Sequence, residues 1–272
     1  MLERPDIHVV SIVITDHWHV KIAIEALQAG KHVFCQKPLS LTLEENKLAR
    51  AAAEKFPKLQ FFIGTQQWSR KEKFCRAVNM AHKGLLGEIK KVTAGINSSP
   101  IGGPFPIENP PSALDWDMWL GQAPMVPFRN RRCHYEFRWW YEYSGGKFTD
   151  WGAHHVDIAQ WALKEDTKGK GPIEEGWDKD TFGDDDLKAL YKGKPFEGHK
   201  QNFYRCIREG RLPVSDVCSH IIAMNTCHFT AIAARLGRTI KWDPATETIV
   251  GDEQAAAFAA RTPRAGFEIP RV

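Results

Sequence analysis

The chain has 272 residues, of which 43% are hydrophobic, so it is long enough to bury a sizeable core as one large or two modest domains. Its 37 Lys and Arg residues barely outnumber its 33 Asp and Glu residues, and no dense basic run interleaved with aromatic residues occurs. We therefore expect no nucleic-acid partner.

The sequence pattern also lacks membrane and secretion signals. No stretch approaches the roughly 18 uninterrupted apolar residues of a membrane helix, and the first six residues have no signal-peptide apolar core. We expect a cytoplasmic protein without a membrane partner, and a signal on a longer precursor stays open. The six cysteines contain no CxxC pair, which argues against a disulfide or cysteine-zinc framework.

The first part of the chain alternates predicted strands and helices. Short β-branched or apolar runs predict strands at 9–14, 31–35 and 59–64. A helix-period stretch ends at Gly30, and Thr42 with Glu45 forms a capping box for a helix to about Phe56. This alternation predicts a parallel sheet with right-handed crossovers.

Ligands of such sheets bind at the carboxyl ends of the strands. The loops at residues 15–19, 36–38 and 65–67 each follow a predicted strand. We therefore expect these three loops to share one rim.

The second part of the chain is less regular. After a helix ending near Gly84, the sequence predicts the following elements: a strand at 88–96, a long loop at 98–127, a helix at 150–163, a charged loop or linker at 164–194, helices at 199–209 and 215–236, a strand at 239–242 and a polar tail. The fold class is α/β, with an incomplete Rossmann-type parallel sheet at 1–67 followed by a reduced α/β substrate domain at 68–272.

Asp150, His154 and Asp157 are spaced i, i+4 and i+7, so on one helix they form a single stripe. A carboxylate one turn from an imidazole can orient it, which makes general acid/base chemistry possible. The alternative is a capping Asp and a partly buried His that neighbouring groups satisfy.

Lys37 follows a predicted strand and precedes Pro38. An isolated surface lysine is the default interpretation, and only its place on the ligand rim favours a functional role. The tryptophans between Trp116 and Trp161 are consistent equally with a core and with an aromatic wall for sugar rings.

A metal-dependent hydrolase is the rival from another enzyme class. His17 and His19 form an HxH pair beside Asp16, and with His154, His155 and Asp157 they could hold a divalent metal. HxH pairs are common by chance, so we expect no metal.

Several stretches carry a family resemblance. They are DHWH at 16–19, AGKHVFCQKPLS at 29–40, GTQQ at 64–67, LDWD at 114–117 and residues 145–161, with further similarity at 237–243 and 250–252. Together they resemble the Gfo/Idh/MocA family, named for glucose-fructose oxidoreductase, inositol dehydrogenase and the MocA protein.

The resemblance implies an NAD(P)-dependent oxidoreductase that acts on a secondary hydroxyl of a sugar, polyol or related carbohydrate. It implies that Lys37 contacts the reacting hydroxyl and the nicotinamide ribose, that His154 is the general base, and that Asp150 orients the substrate or the imidazole. These three and His155 would meet the substrate. The residues it places near NAD or NADP are Thr15, Asp16, Trp18, His19, Gln36, Lys37, Pro38, Gln66 and Trp151.

The sequence departs from the family pattern at several points. No Gly-rich pyrophosphate turn precedes Val9, Gln36 replaces the family's glutamate, Ile14-Thr15 replaces Thr-Pro, and a short acidic linker at 177–194 stands where relatives carry strands. We therefore expect NAD(P) to bind no more tightly than millimolar, and an apolar strand edge at 9–14 to promote homo-oligomers. A degenerate, non-catalytic interaction module is the other alternative.

Overall fold

The computed structural model describes residues 1–98, 100, 102–164, 184–191 and 195–272. The first part of the chain forms a three-stranded parallel sheet in the order β1-β2-β3, which confirms the predicted α/β class. A separate antiparallel pair, β4-β5, lies near the end of the chain. The strands are β1 (Val9–Ile12), β2 (His32–Cys35), β3 (Phe61–Ile63), β4 (Lys241–Asp243) and β5 (Thr248–Val250).

Helices connect and cover these strands. They are α1 (His19–Gln28), α2 (Leu43–Lys55), α3 (Arg76–His82), α4 (Trp116–Leu120), α5 (Gly146–Asp150), α6 (Gly152–Ala162), α7 (Asp184–Leu190), α8 (His199–Glu209), α9 (Val217–Leu236) and α10 (Glu253–Ala256).

The predicted capping box at the start of α2 is confirmed. Thr42 Oγ1 accepts the Glu45 backbone N–H at 3.1 Å, and the Glu45 carboxylate accepts the Leu41 backbone N–H at 2.7 Å. Because the cap satisfies backbone donors on both sides of Thr42, it sets where α2 begins and so where the preceding Lys37 loop ends.

Helix α9 is the long core helix of the chain. Asp216 caps it by accepting the N–H groups of Cys218 and Ser219. It is long and apolar enough to cross a membrane, but more than half of its apolar window is buried in the fold. Its residues Ile221 and Met224 share a hydrophobic cluster with β1, α1 and α2. The helix therefore packs beneath the sheet as a core element.

Several sequence predictions about the second part are wrong. The predicted loop at 98–127 contains helix α4, and the predicted polar tail contains β5 and α10. Residues 88–96 form no strand, because no other described strand pairs with them. The predicted helix at 150–163 is interrupted at Trp151, between α5 and α6. Residues 184–190 are helical rather than a linker, because three aspartates favour the helix N-terminus and Leu187 and Leu190 pack into a buried cluster. The rest of that linker prediction, at 165–183 and 192–194, lies outside the described residues.

Candidate active site

The three predicted loops meet at the carboxyl ends of the parallel strands. The Gln36 backbone N–H donates to Ile12 O at 3.0 Å, and the Gly64 N–H donates to Cys35 O at 2.8 Å, so each loop starts in register with its neighbour. The Gln36 side chain covers Gly64, where an added Cβ would lie 2.8 Å from Gln36 Oε1. The Gln36 side chain therefore closes the rim between β2 and β3.

The structure brings Lys37 and Asp150 together across this rim. Lys37 Nζ lies 2.5 Å from Asp150 Oδ1 and donates a second hydrogen bond to Asp150 O at 2.8 Å. The side chains are only 19% and 11% exposed, so water screens the pair weakly. Arg138 adds a second positive charge, with its Nε 3.8 Å from the same carboxylate oxygen. A partly exposed ammonium is thus held in a fixed position above the strand ends.

A second carboxyl group lies behind this pair. Asp16 is 5% exposed, and its Oδ2 accepts the Ser144 hydroxyl at 2.6 Å. Burial raises the pKa of Asp16 to about 7, and the negative charge of Asp150 acts in the same direction, whereas Ser144, Lys37 and Arg138 oppose it. Asp16 therefore exchanges its proton near neutral pH, unlike an exposed aspartate.

His154 lies one helical turn beyond the Lys37–Asp150 pair, in the first turns of α6. Burial lowers the pKa of His154 to about 3, and its electrostatic interactions with Lys37, His220 and His155 act in the same direction, whereas Asp150 opposes them. Its Nδ1 is buried without a hydrogen-bond partner among the described residues. The imidazole is therefore neutral at pH 7 and in the form that accepts a proton.

Two residues of the first loop bond to backbone groups, His19 from a buried position and Trp18 from a half-buried one. His19 is 1% exposed, with Nδ1 2.7 Å from Pro38 O and Nε2 3.2 Å from Ile14 O, so it joins two rim loops from below. The Trp18 indole N–H donates to Trp119 O at 3.2 Å. Both side chains thus support the loops, and the structure does not bring them to the Lys37–Asp150 pair.

The other predicted site residues are spread around the rim. Thr15 is half-buried and its carbonyl accepts the Trp18 N–H at 3.1 Å, while Gln66 is exposed at the start of a 3₁₀ turn. Trp151 directly follows Asp150, is 45% exposed, and stacks on His155 with centroids 5.8 Å apart. An exposed aromatic face thus borders the pair, whereas other tryptophans of this region, such as Trp116, Trp119 and Trp161, pack into core clusters.

The histidines proposed for a metal site do not converge. His17 Nε2 bonds to Trp119 O at 2.9 Å, and burial lowers its pKa to about 4. His19 instead faces Pro38 and Ile14. In the described part of the chain, no group of three or more His, Cys, Asp or Glu side chains is placed to hold a metal ion.

Sequence reasoning missed three contributors to the site: Arg138, Ser144 and His220. Ser144 immediately precedes the Gly145-Gly146 pair that opens α5, a position that could have suggested it. Arg138 and His220 are 12 and 66 residues from Asp150 and His154, and no local pattern connects them. Only tertiary packing brings them near the rim.

Two family models match this chain. The model of the NAD-binding Rossmann fold of the Gfo/Idh/MocA oxidoreductase family matches residues 1–64, and the model of the family's C-terminal alpha/beta domain matches residues 103–192. The matches include Lys37 in the first segment and Asp150 and His154 in the second. Both halves of the candidate site thus fall within matched segments.

Similar proteins carry carbohydrate-related names. Levoglucosan dehydrogenase of Pseudarthrobacter phenanthrenivorans is 53% identical over 47 residues, which are 17% of this chain and 12% of that protein. An alpha-N-acetylgalactosaminidase of Shewanella oneidensis is 35% identical over 89 residues, 33% of this chain and 19% of that protein.

Among solved structures, levoglucosan dehydrogenase in complex with NADH and levoglucosan matches at 26% identity and a TM-score of 0.36, covering 59% of this chain and 36% of that one. An oxidoreductase domain protein from Kribbella flavida matches at 28% identity and a TM-score of 0.37, with the same shares. The chain therefore spans well under half the length of each of these relatives.

Proposed function

Because this chain belongs to the Gfo/Idh/MocA oxidoreductase family, we propose that its rim serves NAD(P)-dependent hydride transfer at a secondary hydroxyl of a sugar, polyol or related carbohydrate. The observation that carries the proposal is the contact between Lys37 Nζ and Asp150 Oδ1, 2.5 Å apart at the strand ends where such sheets bind ligands. This contact joins residues that are far apart in the sequence, beside a neutral imidazole.

The rim residues fit the nicotinamide half of the cofactor. The Lys37 side chain stays 19% exposed although it is paired, and Gln36 directly precedes it in the loop after β2. These groups, with Gln66, would hold the ribose and the carboxamide through hydrogen bonds. Bound NAD(P) supplies the hydride acceptor or donor.

The protein's own groups handle the proton. The Lys37 ammonium would donate a hydrogen bond to the substrate hydroxyl oxygen and so stabilise negative charge that develops there. His154 is neutral and would take the hydroxyl proton while hydride leaves the same carbon. Asp150 fixes the ammonium in place. Placed proton transfer of this kind contributes about 10²- to 10⁴-fold in rate.

Nuclear magnetic resonance tests the cofactor part of the proposal with the chain as it stands. We expect weak, millimolar binding, so nicotinamide mononucleotide, AMP and NADH are titrated separately into labelled protein. NADH and nicotinamide mononucleotide should shift the His154 ring signals and the backbone signals of residues 15–17, 36–37 and 65–67. AMP should leave these signals in place. Shifts caused by AMP alone, or confined to other regions, would contradict the proposal.

The substrate part needs a separate assay, because the named relatives divide between a dehydrogenase and a glycosidase. The chain is incubated with NAD or NADP and levoglucosan, other cyclic polyols, or an α-N-acetylgalactosaminide. Reduced nicotinamide formed with a free polyol supports hydride transfer as proposed. Release of the aglycone without net cofactor reduction would instead assign a glycosidase reaction to the same site.

A further inference from the structure

Asp157 lies at a buried junction of three elements, one turn beyond His154 on α6. It is 2% exposed, and its Oδ2 accepts the indole N–H of Trp68 at 2.6 Å. His220 of α9 packs against the same oxygen, with its Nδ1 3.5 Å away, but neither of its ring nitrogens has a hydrogen-bond partner among the described residues. Since Trp68 belongs to the 3₁₀ turn Gln66–Ser69 after β3, its hydrogen bond to Asp157 connects α6 to the ligand rim.

The group that holds Asp157 is itself fixed. Trp68 stacks on Trp161 with ring centroids 4.1 Å apart, and its carbonyl accepts the Tyr191 hydroxyl. The neighbouring Ser69 hydroxyl lies 3.2 Å from the Nδ1 of buried His199. The indole N–H therefore points at Asp157 from a position set by other contacts.

Burying this carboxylate costs free energy because the charge loses its hydration. A well-packed apolar residue of similar volume often stabilises a fold equally well. Its location therefore calls for a role beyond packing. We propose that Asp157, held by Trp68, is a positioning residue that keeps His154 buried beside the Lys37–Asp150 pair. This inference rests on the proposed function, in which His154 takes the substrate proton.

The protonation of His154 reports its position. Burial is the largest cause of its lowered pKa, ahead of the charges of Lys37, His220 and His155, and Asp150 acts in the opposite direction. If the Trp68–Asp157 contact were lost, water would reach the imidazole and its pKa would rise towards its usual value. Loss of the Asp157 negative charge alone would lower the pKa further, because an anion favours the imidazolium. Positioning and simple electrostatics thus predict opposite shifts.

The experiment follows the His154 ring signals of the labelled full chain, without nucleotide, between about pH 8 and about pH 4.5. The His154→Asn spectrum identifies the signals. In the wild type we expect no titration in this range. In Trp68→Phe, which removes the indole N–H and changes no charge, we expect the protonation constant to rise at least a hundredfold, from a pKa of about 3 to about 5 or above, so that the titration midpoint enters this range. Asp157→Asn should shift it in the same direction.

Trp116→Phe is the matched control, because it removes an indole N–H bond of 2.8 Å to Val126 O in another cluster. It should leave His154 untitrated. Should Trp68→Phe fail to fold, Asp157→Asn decides the matter. An unchanged His154 titration in the folded variants, or an equal shift in the control, would overturn the proposal. Since no cofactor is present, this outcome is independent of whether the rim binds nicotinamide.

Discussion

The Lys37–Asp150 contact should contribute measurably to folding stability, and Lys37→Met tests it. Removal of the ammonium breaks hydrogen bonds of 2.5 Å and 2.8 Å and leaves a carboxylate that is 11% exposed. Arg138, 3.8 Å away, compensates in part. A charge-assisted hydrogen bond contributes about 1.5–3 kcal/mol, whereas an exposed ion pair contributes about 0.2–1 kcal/mol. Because this pair is mostly buried, we expect a coupling energy in the higher range.

Urea unfolding of the wild type, Lys37→Met, Asp150→Asn and the double variant gives this coupling energy directly. The control cycle uses Lys71 and Asp184, a surface pair with Nζ 3.1 Å from Oδ1 and side chains 37% and 94% exposed. That pair should couple by only about 0.2–1 kcal/mol. If the Lys37–Asp150 coupling were no larger than that of the control, the ammonium would not be held as the structure indicates.

Three further outcomes follow from the same geometry. In a chain with measurable activity, Lys37→Met should reduce kcat far more than it weakens nucleotide binding. Parallel measurements of kcat and of the nucleotide Kd check this prediction, and equal losses in the two would contradict it. His154→Asn should lower kcat by about 10²- to 10⁴-fold at every pH above about 4.5, because the wild-type imidazole is already neutral over that range, while circular dichroism stays unchanged; a near-normal kcat would remove His154 from the mechanism. The free energy of unfolding should fall by at least about 1.4 kcal/mol per pH unit, on average, between about pH 6.5 and about pH 4.5. Unfolding exposes four histidines: His17 and His199, whose pKa burial lowers to about 4, and His154 and His228, whose pKa burial lowers to about 3. Among the described residues it exposes two acids whose pKa burial raises to about 7, Asp16 and Glu45. The unfolded histidines take up protons as the pH falls, which destabilises the fold. The two acids are already protonated in the folded state and offset part of this loss. A urea midpoint that rises as the pH is lowered over this range would contradict the assignment.

The first part of the fold was predictable because its signals are local. Apolar runs and the Thr42 cap set the strands and α2, and the rule that ligands bind at strand ends places Lys37 on the rim from sequence alone. The second part was less predictable. The i, i+4, i+7 spacing suggested one continuous helix, but the chain breaks at Trp151, so Asp150 ends α5 while His154 and Asp157 belong to α6.

The roles of buried histidines were not predictable from spacing. The HxH pair at His17 and His19 suggested metal ligands, yet each ring points at backbone carbonyls on a different side of the loop. Adjacent sequence positions do not determine where two imidazoles point when helix α1 begins between them. In the same way, the contact between Asp157 and Trp68 depends on how α6 packs against the turn after β3, which no local pattern encodes.

The charges at the rim show why a buried carboxyl such as Asp16 matters to the proposed chemistry. Lys37 and Arg138 bring two positive charges to the single negative charge of Asp150. Burial raises the pKa of Asp16 to about 7, so below neutral pH this residue is neutral and the rim keeps a surplus positive charge that stabilises a developing alkoxide. Above neutral pH Asp16 ionises and cancels this surplus. Rising pH makes it easier to remove the substrate's hydroxyl proton. Ionised Asp16 therefore opposes this gain at high pH, because its negative charge disfavours an alkoxide nearby.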